Sequence, residues 1–274
     1  MLIRKEEITE LSNGIRKAID GQEIEIRDNK DGVLSILKND IHTLINIEKE
    51  QRNKAQEEQE HLAEYLTDIS HQLKTPITSM MLMTNLLEGA PADKQKEFIF
   101  NMKKELVHME WLISALLKMA KLDSKVVDFI VSDISTGELI KEALKPLSIL
   151  LDIKNQKVEI RNEIMLQCDK RWTEEALTNL LKNASECSRE NSIIYIDSGE
   201  NPIYKWISVT DAGEGIPKEW IASLFRKFEN SQSENGYGIG LPLALSIVRG
   251  QNGDIEVFPG GNGTGATFTV KFYK

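Results

Sequence analysis

Two long segments with apolar residues at heptad spacing restrict the fold of this chain more than any other feature. The first segment carries Leu62, Leu66, Ile69, Leu73, Pro76, Met80, Met83 and Leu87. The second segment carries Phe98, Met102, Leu106, Met109, Ile113, Leu116 and Ala120. Spacings of three and four place each set along one face of a helix, which is the pattern by which helices pack side by side.

A short break at residues 88–93 separates the two segments and contains Gly89 and Pro91. Asp93 stands where it could cap the second helix. We therefore predict a helical hairpin. Because one hairpin covers its apolar faces poorly, we expect two copies to form a four-helix bundle, which makes the chain a homodimer.

His71 lies two places after the seam residue Ile69, so its imidazole is predicted to face solvent. Thr75 follows one turn later on the same flank. Pro76 is unusual inside a helix because it removes a backbone N–H, and we expect it to bend the helix beside His71. The other histidines are interpreted as polar surface residues.

Composition excludes several classes of function. A net charge of −9 and a pI near 5.2 argue against general affinity for nucleic acid or anionic lipid. No apolar run approaches the roughly 18–20 residues of a membrane span. Cys168 and Cys187 have no metal-ligand spacing and are interpreted as small buried residues, which fits a reducing cytoplasm.

Strand and helix patterns alternate beyond Lys125. A capping box, Ser135 to Glu138, opens a helix predicted to reach about Leu151, and a strand is predicted near 126–131. Several polar residues and glycines further along this half are candidate site residues, although each has an ordinary structural explanation if taken alone. Asn179 and Asn183 share a helix face, which is usually just a solvated face. Glycines follow Asp211 and recur in the segments 236–240 and 261–265. Each of these glycine-containing segments could be a simple turn.

The segment 68–80, DISHQLKTPITSM, resembles the phosphoacceptor box of sensor histidine kinases. The resemblance implies that His71 is phosphorylated on nitrogen. It also implies that Thr75 helps a water attack the phosphorylated aspartate of a partner response regulator. Gln72 departs from the family pattern, which usually has a carboxylate there, and an amide cannot act as a general base.

The second half resembles the ATP-binding boxes of the same family. Asn179 and Asn183 match the Asn box, in which the second asparagine coordinates Mg²⁺ beside the ATP phosphates; oxygen ligands of this kind suit Mg²⁺. Asp211 matches the aspartate that accepts the adenine amino group. The remaining nucleotide-binding positions implied are Gly213, Gly215, Phe225, Phe228, Gly236, Gly238, Gly240, Leu241, Gly263 and Gly265.

The boxes occur in the family's order over some 200 residues, which makes coincidence improbable. The implied fold is multidomain α and α+β, a helical-hairpin dimerisation domain followed by an α/β sandwich ATP-binding domain. The expected domains are 1–60, a HAMP-like or coiled signalling linker; 61–123, dimerisation and phosphotransfer; and 124–274, catalysis. The family implies a cytoplasmic location, with any membrane attachment made through segments outside this chain.

The implied function is autophosphorylation of His71 from Mg²⁺-ATP and transfer of the phosphoryl group to a response regulator. An ATP hydrolase of the related gyrase and chaperone group is a rival. Those relatives place a water-activating glutamate where this chain has Asn179, which cannot do this. A phosphatase-biased protein or a non-catalytic nucleotide-binding scaffold is the other alternative, kept open by Gln72 and by Glu186, which replaces a frequent Lys or Arg.

Overall fold

The computed structural model describes residues 9, 11–13, 15–17, 33–124, 126–226, 238–261 and 264–274. Within helices, the side chains of 33–34, 57–58 and 60–65 are outside the description. The chain divides into two compact units, Met1–Gln72 and Leu73–Lys274. Residues 18–32 of the expected linker lie outside the described residues.

The helical hairpin consists of α1 (Val33–Leu87) and α2 (Ala92–Asp123). α1 starts well before the predicted first helix, and its charged stretch from Glu48 to Gln56 is exposed. The predicted capping role of Asp93 is wrong, because Pro91 is the N-cap and Asp93 lies in the first turn. There its negative charge still favours the positive end of the helix dipole.

Part of the predicted seam is exposed in a single chain, and most of its other described residues are half-buried. Leu106 is 56% exposed and Ile113 46%. Several neighbouring side chains of the hairpin, Ile77, Met81, Leu82 and Leu86, are also exposed. Pro76 is buried within the continuous helix α1. An apolar surface of this kind agrees with a second copy packing against the hairpin, and the dimer itself stays a prediction.

The remaining elements form an α/β domain with two sheets. Its helices are α3 (Thr136–Leu144), α4 (Ser148–Ile153), α5 (Lys170–Cys187) and α6 (Gly240–Gly250). Its strands are β1 (Val131–Ser135), β2 (Lys157–Ile160), β3 (Met165–Asp169), β4 (Ile193–Glu200), β5 (Tyr204–Thr210), β6 (Gly253–Phe258) and β7 (Thr267–Tyr273). Single 3-10 turns occupy Lys145–Leu147 and Lys218–Ser223.

The larger sheet has the strand order β2-β4-β5-β7-β6, with β2 and β4 parallel and the other pairs antiparallel. β1 and β3 form a separate antiparallel pair. Alternate residues of the central strands are buried, including Ile194 and Ile196 on β4 and Phe268 and Val270 on β7. α5 and α6 pack together over the core with apolar faces. A hairpin followed by an α/β domain is the predicted fold, and it is confirmed.

Two local predictions need correction. The strand expected near 126–131 begins only at Val131, because the Ile130 N–H donates to the Asp169 carboxylate (2.8 Å) instead of a strand partner. The helix expected to reach Leu151 ends at Leu144 and restarts at Ser148. Pro146, which lacks a backbone N–H, lies in the 3-10 turn between them.

α2 has a second buried face that the heptad seam does not include. Leu112, Ala115 and Met119 are at most 2% exposed, and α2 packs against α6. Lys118 of α2 also forms an ion pair with Glu175 of α5, at 2.7 Å. The second half of the hairpin thus contributes to the core of the α/β domain.

Candidate nucleotide site and phosphoacceptor helix

Asn179 lies where α5 and the start of α6 approach each other. Its side chain is 7% exposed, and its Nδ2 donates to the Glu175 carbonyl one turn earlier, at 2.8 Å. A Cβ added to Gly240 would lie 3.1 Å from Asn179 Oδ1. Glycine at this position therefore lets the first turn of α6 lie close to the asparagine.

Asn183 occupies the next turn of the same face of α5 and is half-buried. Among the described residues, none forms a hydrogen bond with its side chain. Its amide oxygen is consequently available to a ligand. Mg²⁺ prefers oxygen ligands, so the donor chemistry of Asn183 fits the proposed metal.

Asp211 follows the last residue of β5 and is 6% exposed. Its Oδ1 accepts hydrogen bonds from the backbone N–H groups of Gly213 (2.8 Å) and Ala266 (3.1 Å). Burial raises the pKa of this carboxyl, and the two N–H donors oppose that shift. Within the described part of the chain, Oδ2 accepts no hydrogen bond. A nearly buried carboxylate oxygen without a protein donor suits a ligand that carries an N–H group.

Three glycines allow the backbone to close around Asp211. A Cβ on Gly213 would lie 2.7 Å from the Cys187 carbonyl oxygen. A Cβ on Gly265 would overlap the Asp211 carbonyl and carboxylate oxygens. Gly215 has φ +85°, and its Cβ would lie 2.6 Å from the Pro259 carbonyl oxygen, so both conformation and space require glycine.

The N-terminus of α6 supplies the anion-binding feature that the sequence predicts. Gly238 has φ +65°, and Gly240 opens the helix. Leu241 is half-buried, and Pro242 fits the first turn because no N–H is needed there. The backbone N–H groups of Gly240 and Leu241 have no acceptor within their own helix, which favours an anion such as phosphate.

Not every predicted site residue falls within the described structure. Phe225 is half-buried just beyond the 3-10 turn Lys218–Ser223. Phe228, Gly236 and Gly263 lie outside the described residues. Among the described site residues, Asn179 lies against Gly240, and Asp211 lies against Gly213 and Gly265.

The phosphoacceptor segment lies on α1. His71 is exposed, as its position outside the seam predicts, and Thr75 is exposed as well. Gln72 is half-buried. The chemical roles of these three residues stay predictions.

Two sequence interpretations of lone residues are wrong. Cys187 is exposed rather than buried, although Cys168 is buried as expected. His108 is not a free surface residue. It is half-buried, and its ring stacks on Trp111 with centroids 6.5 Å apart. Burial and the nearby Lys182 ammonium lower the pKa of His108.

The sequence did not predict the residues that hold the Asp211 loop through the end of α5. Gln156, in the loop between α4 and β2, and Ser188, directly after α5, are both buried polar residues. Gln156 donates to carbonyl groups at the C-terminal end of α5, and Ser188 Oγ accepts a hydrogen bond from the Ala212 N–H. Neither belongs to a recognised box. Their only signal in the sequence is the place of Ser188 directly after the Asn-box helix.

Comparison with protein families agrees with this geometry. Residues 61–125 match the His Kinase A (phospho-acceptor) domain, and residues 168–274 match the histidine kinase-, DNA gyrase B- and HSP90-like ATPase domain. The chain belongs to the sensor histidine kinases. Its ATPase domain implies ATP binding, and the acceptor oxygen of Asp211 and the N-terminus of α6 fit a purine amino group and phosphates.

Curated relatives of this histidine kinase include sensor kinases from several bacteria. The chain is 31% identical over 229 residues to sensor histidine kinase WalK of Bacillus subtilis, covering 76% of this chain and 36% of the relative. It is 28% identical to the heme sensor protein HssS of Staphylococcus saprophyticus, covering 77% and 46%. The chain thus spans between a third and a half of the length of these relatives.

Solved structures share the fold. Histidine kinase AdeS of Acinetobacter baumannii superposes with a TM-score of 0.61 at 21% identity, covering 74% of this chain and 97% of the other. Histidine kinase ThkA, solved in complex with response regulator protein TrrA, gives a TM-score of 0.63 at 22% identity, covering 83% and 66%. Among the described residues, no helix is both long and apolar enough to cross a membrane.

Proposed function

We propose that this kinase phosphorylates His71 with Mg²⁺-ATP and then passes the phosphoryl group to an aspartate of a response regulator. The observation that carries the proposal is the combination, in one chain, of an exposed histidine on a phosphoacceptor helix and an ATP site with an acceptor aspartate. The domain limits 61–123 and 124–274 are part of this proposal.

Each nucleotide-site residue has a distinct task. Asp211 Oδ2 accepts the adenine amino group, and the Gly213 and Ala266 N–H groups hold the carboxylate through Oδ1. Asn183 offers its amide oxygen to Mg²⁺. The N-terminus of α6 donates backbone N–H groups to phosphate oxygens. Phe225, Phe228, Gly236 and Gly263 complete the same site in the proposal.

ATP supplies the terminal phosphoryl group, and His71 supplies the nucleophile. A neutral imidazole nitrogen forms the new N–P bond while the bond to the leaving ADP oxygen breaks. Positioning and charge stabilisation provide most of the rate in phosphoryl transfer. Gln72 can accept a hydrogen bond from the other imidazole nitrogen and hold its tautomer, but it cannot take up the proton. We therefore expect an active but slow kinase.

The proposed partners are a response regulator and a second copy of the chain. ThkA was solved with a response regulator, and the exposed apolar residues of the hairpin, such as Leu106 and Ile113, suit a four-helix bundle. We propose a cytoplasmic location, with membrane attachment only through segments outside this chain. Nucleic acid is not an expected partner, because the net charge is −9.

A phosphatase-biased signalling protein is the second candidate, and Gln72 is the observation that favours it. Thr75 is exposed on α1, where it could orient a water towards the regulator's phosphoaspartate. Incubation with ATP labelled in the terminal phosphate separates the possibilities. A kinase retains acid-labile label on the protein, and a hydrolase releases free phosphate. A phosphatase-biased protein or a scaffold that only binds ATP does neither.

A further inference from the structure

The C-terminal end of α5 holds the loop that carries Asp211. Ser188, the residue after α5, is 4% exposed, and its Oγ accepts a hydrogen bond from the Ala212 N–H at 2.9 Å. Ala212 lies between Asp211 and Gly213, whose backbone also packs closely against the Cys187 carbonyl. Two adjacent residues of α5's end therefore contact the two residues that follow the aspartate.

Gln156 fixes Ser188 in turn. It is 8% exposed, and its Nε2 donates to the carbonyl groups of Ser185 (3.0 Å), Ser188 (3.2 Å) and Arg189 (3.1 Å). Its Oε1 accepts from Ser185 Oγ at 2.6 Å. Every polar atom of the Gln156 side chain thus points to the end of α5, where the helix leaves carbonyl groups without intrahelical donors.

Lys154 adds a second support at the same place. Its Nζ donates to the carbonyl groups of Ser185 (2.7 Å) and Glu186 (3.1 Å). A cation at a helix C-terminus also interacts favourably with the helix dipole. The end of α5 is therefore held by two side chains from one loop. Among the described residues, Ser188 connects this end to the Asp211 loop by a side-chain hydrogen bond, and Arg189 connects it by a longer, exposed ion pair with Glu214.

We propose that Ser188 is a positioning residue for base recognition, which holds Ala212 so that Asp211 Oδ2 faces the amino group of the bound purine. The inference rests on the proposed role of Asp211. Without the hydroxyl, the part-buried Ala212 N–H loses its acceptor. The loop then shifts to find another acceptor, and Asp211 moves with it. Phosphate contacts at α6 are unaffected, because no described bond joins Ser188 to that helix.

A purely structural loss would weaken the binding of every nucleotide, so the test needs a ligand that lacks only the amino group. The diphosphate of purine riboside carries a hydrogen where adenosine diphosphate carries the amino group, and the two bases are otherwise the same. Ser188→Ala should weaken binding of adenosine diphosphate by about tenfold, the order expected when a part-buried donor loses its partner, and leave purine riboside diphosphate within about twofold. Ser188→Thr, which keeps the hydroxyl, should retain the preference for adenine.

Ser198→Ala is the matched control. Ser198 is another buried serine of the same domain, 3% exposed, and its hydroxyl bonds Asn162 O (2.7 Å) and Thr136 Oγ1 (3.0 Å), neither of which belongs to the nucleotide site. This variant should lose thermal stability yet keep the ratio of the two dissociation constants. Isothermal calorimetry on the full chain with Mg²⁺ measures both ligands.

The possible results distinguish the positioning role of Ser188 from the proposed role of Asp211 in base recognition. A Ser188→Ala variant that keeps the parent's preference for adenosine diphosphate would overturn the positioning role. A parent protein that binds both nucleotides equally would instead overturn the assignment of Asp211, and the inference with it.

Discussion

Single residues around Asp211 show which parts of the site a sequence can and cannot predict. The aspartate, Asn183 and the glycines stand in recognisable boxes because each has a chemical or conformational task, such as the φ of +85° at Gly215. Ser188 and Gln156 act through hydrogen bonds between segments far apart in the chain. No spacing pattern encodes such contacts, and the structure alone reveals them.

Substitutions at Asp211 and Asn183 should affect the nucleotide differently. Asp211→Asn places an amide where the adenine amino group needs an acceptor, so the affinities for ATP and ADP should fall together. Asn183→Ala removes the proposed Mg²⁺ ligand and should weaken Mg²⁺-ATP strongly. Calorimetry with and without Mg²⁺ distinguishes the two effects. Unchanged ATP affinity in both variants would contradict the site.

Gln72 provides a test of proton handling beside the phosphoacceptor. Gln72→Glu introduces a carboxylate that can accept the imidazole proton. Single-turnover autophosphorylation should therefore accelerate, within the 10²–10⁴-fold range typical of general base assistance. Gln72→Ala should slow it, because no acceptor then holds the imidazole tautomer. A Gln72→Glu variant no faster than the parent would show that the missing carboxylate does not limit the rate.

At the scale of elements, α2 shows that an apolar pattern predicts a helix more reliably than it predicts what each face of that helix contacts. The predicted seam residues Ile113, Leu116 and Ala120 each lie one position after Leu112, Ala115 and Met119, which are buried against the α/β domain. Apolar residues therefore occupy two adjacent faces. The sequence predicts the helix, but which face packs against the α/β domain depends on the packing of α6.

Truncations on the two faces of α2 should have different consequences. Leu112→Ala leaves a cavity in a fully buried site and should lower the free energy of unfolding by about 2–5 kcal/mol. Ile113→Ala, at a position 46% exposed, should change folding little and weaken the dimer. Urea unfolding and light scattering at several protein concentrations measure the two effects. Equal destabilisation with no change in association would refute the assignment of the faces.

His108 should make the packing of α2 on the α/β domain sensitive to acid. Its pKa lies below the ordinary 6.5 because of burial and the Lys182 ammonium. Below pH 6.5 the unfolded chain therefore binds the proton more readily than the folded chain does, so this contribution to stability is full above 6.5 and falls as the pH drops. His108→Gln should lose less stability than the parent between about pH 7.5 and 5.5, as followed by urea unfolding. An identical pH dependence would contradict this role.

For the whole molecule, the order of hairpin and α/β domain was predictable because ordered motifs mark both. The position at which α1 begins, Val33, was not predictable, because a solvated charged stretch has no apolar pattern to define it. The homodimer and the transfer of the phosphoryl group remain proposals at this scale. The dimer rests on the exposed apolar residues of the hairpin, and the transfer requires His71 to lie outside the packed seam.

Labelling of His71 tests the central proposal most directly. The parent chain and His71→Gln are incubated with Mg²⁺ and ATP labelled in the terminal phosphate, after equal dimerisation and ADP binding have been established for both. The account predicts acid-labile, alkali-stable label on the parent and none on the variant, because the substitution removes only the exposed nucleophile. Label that persists on His71→Gln would contradict it.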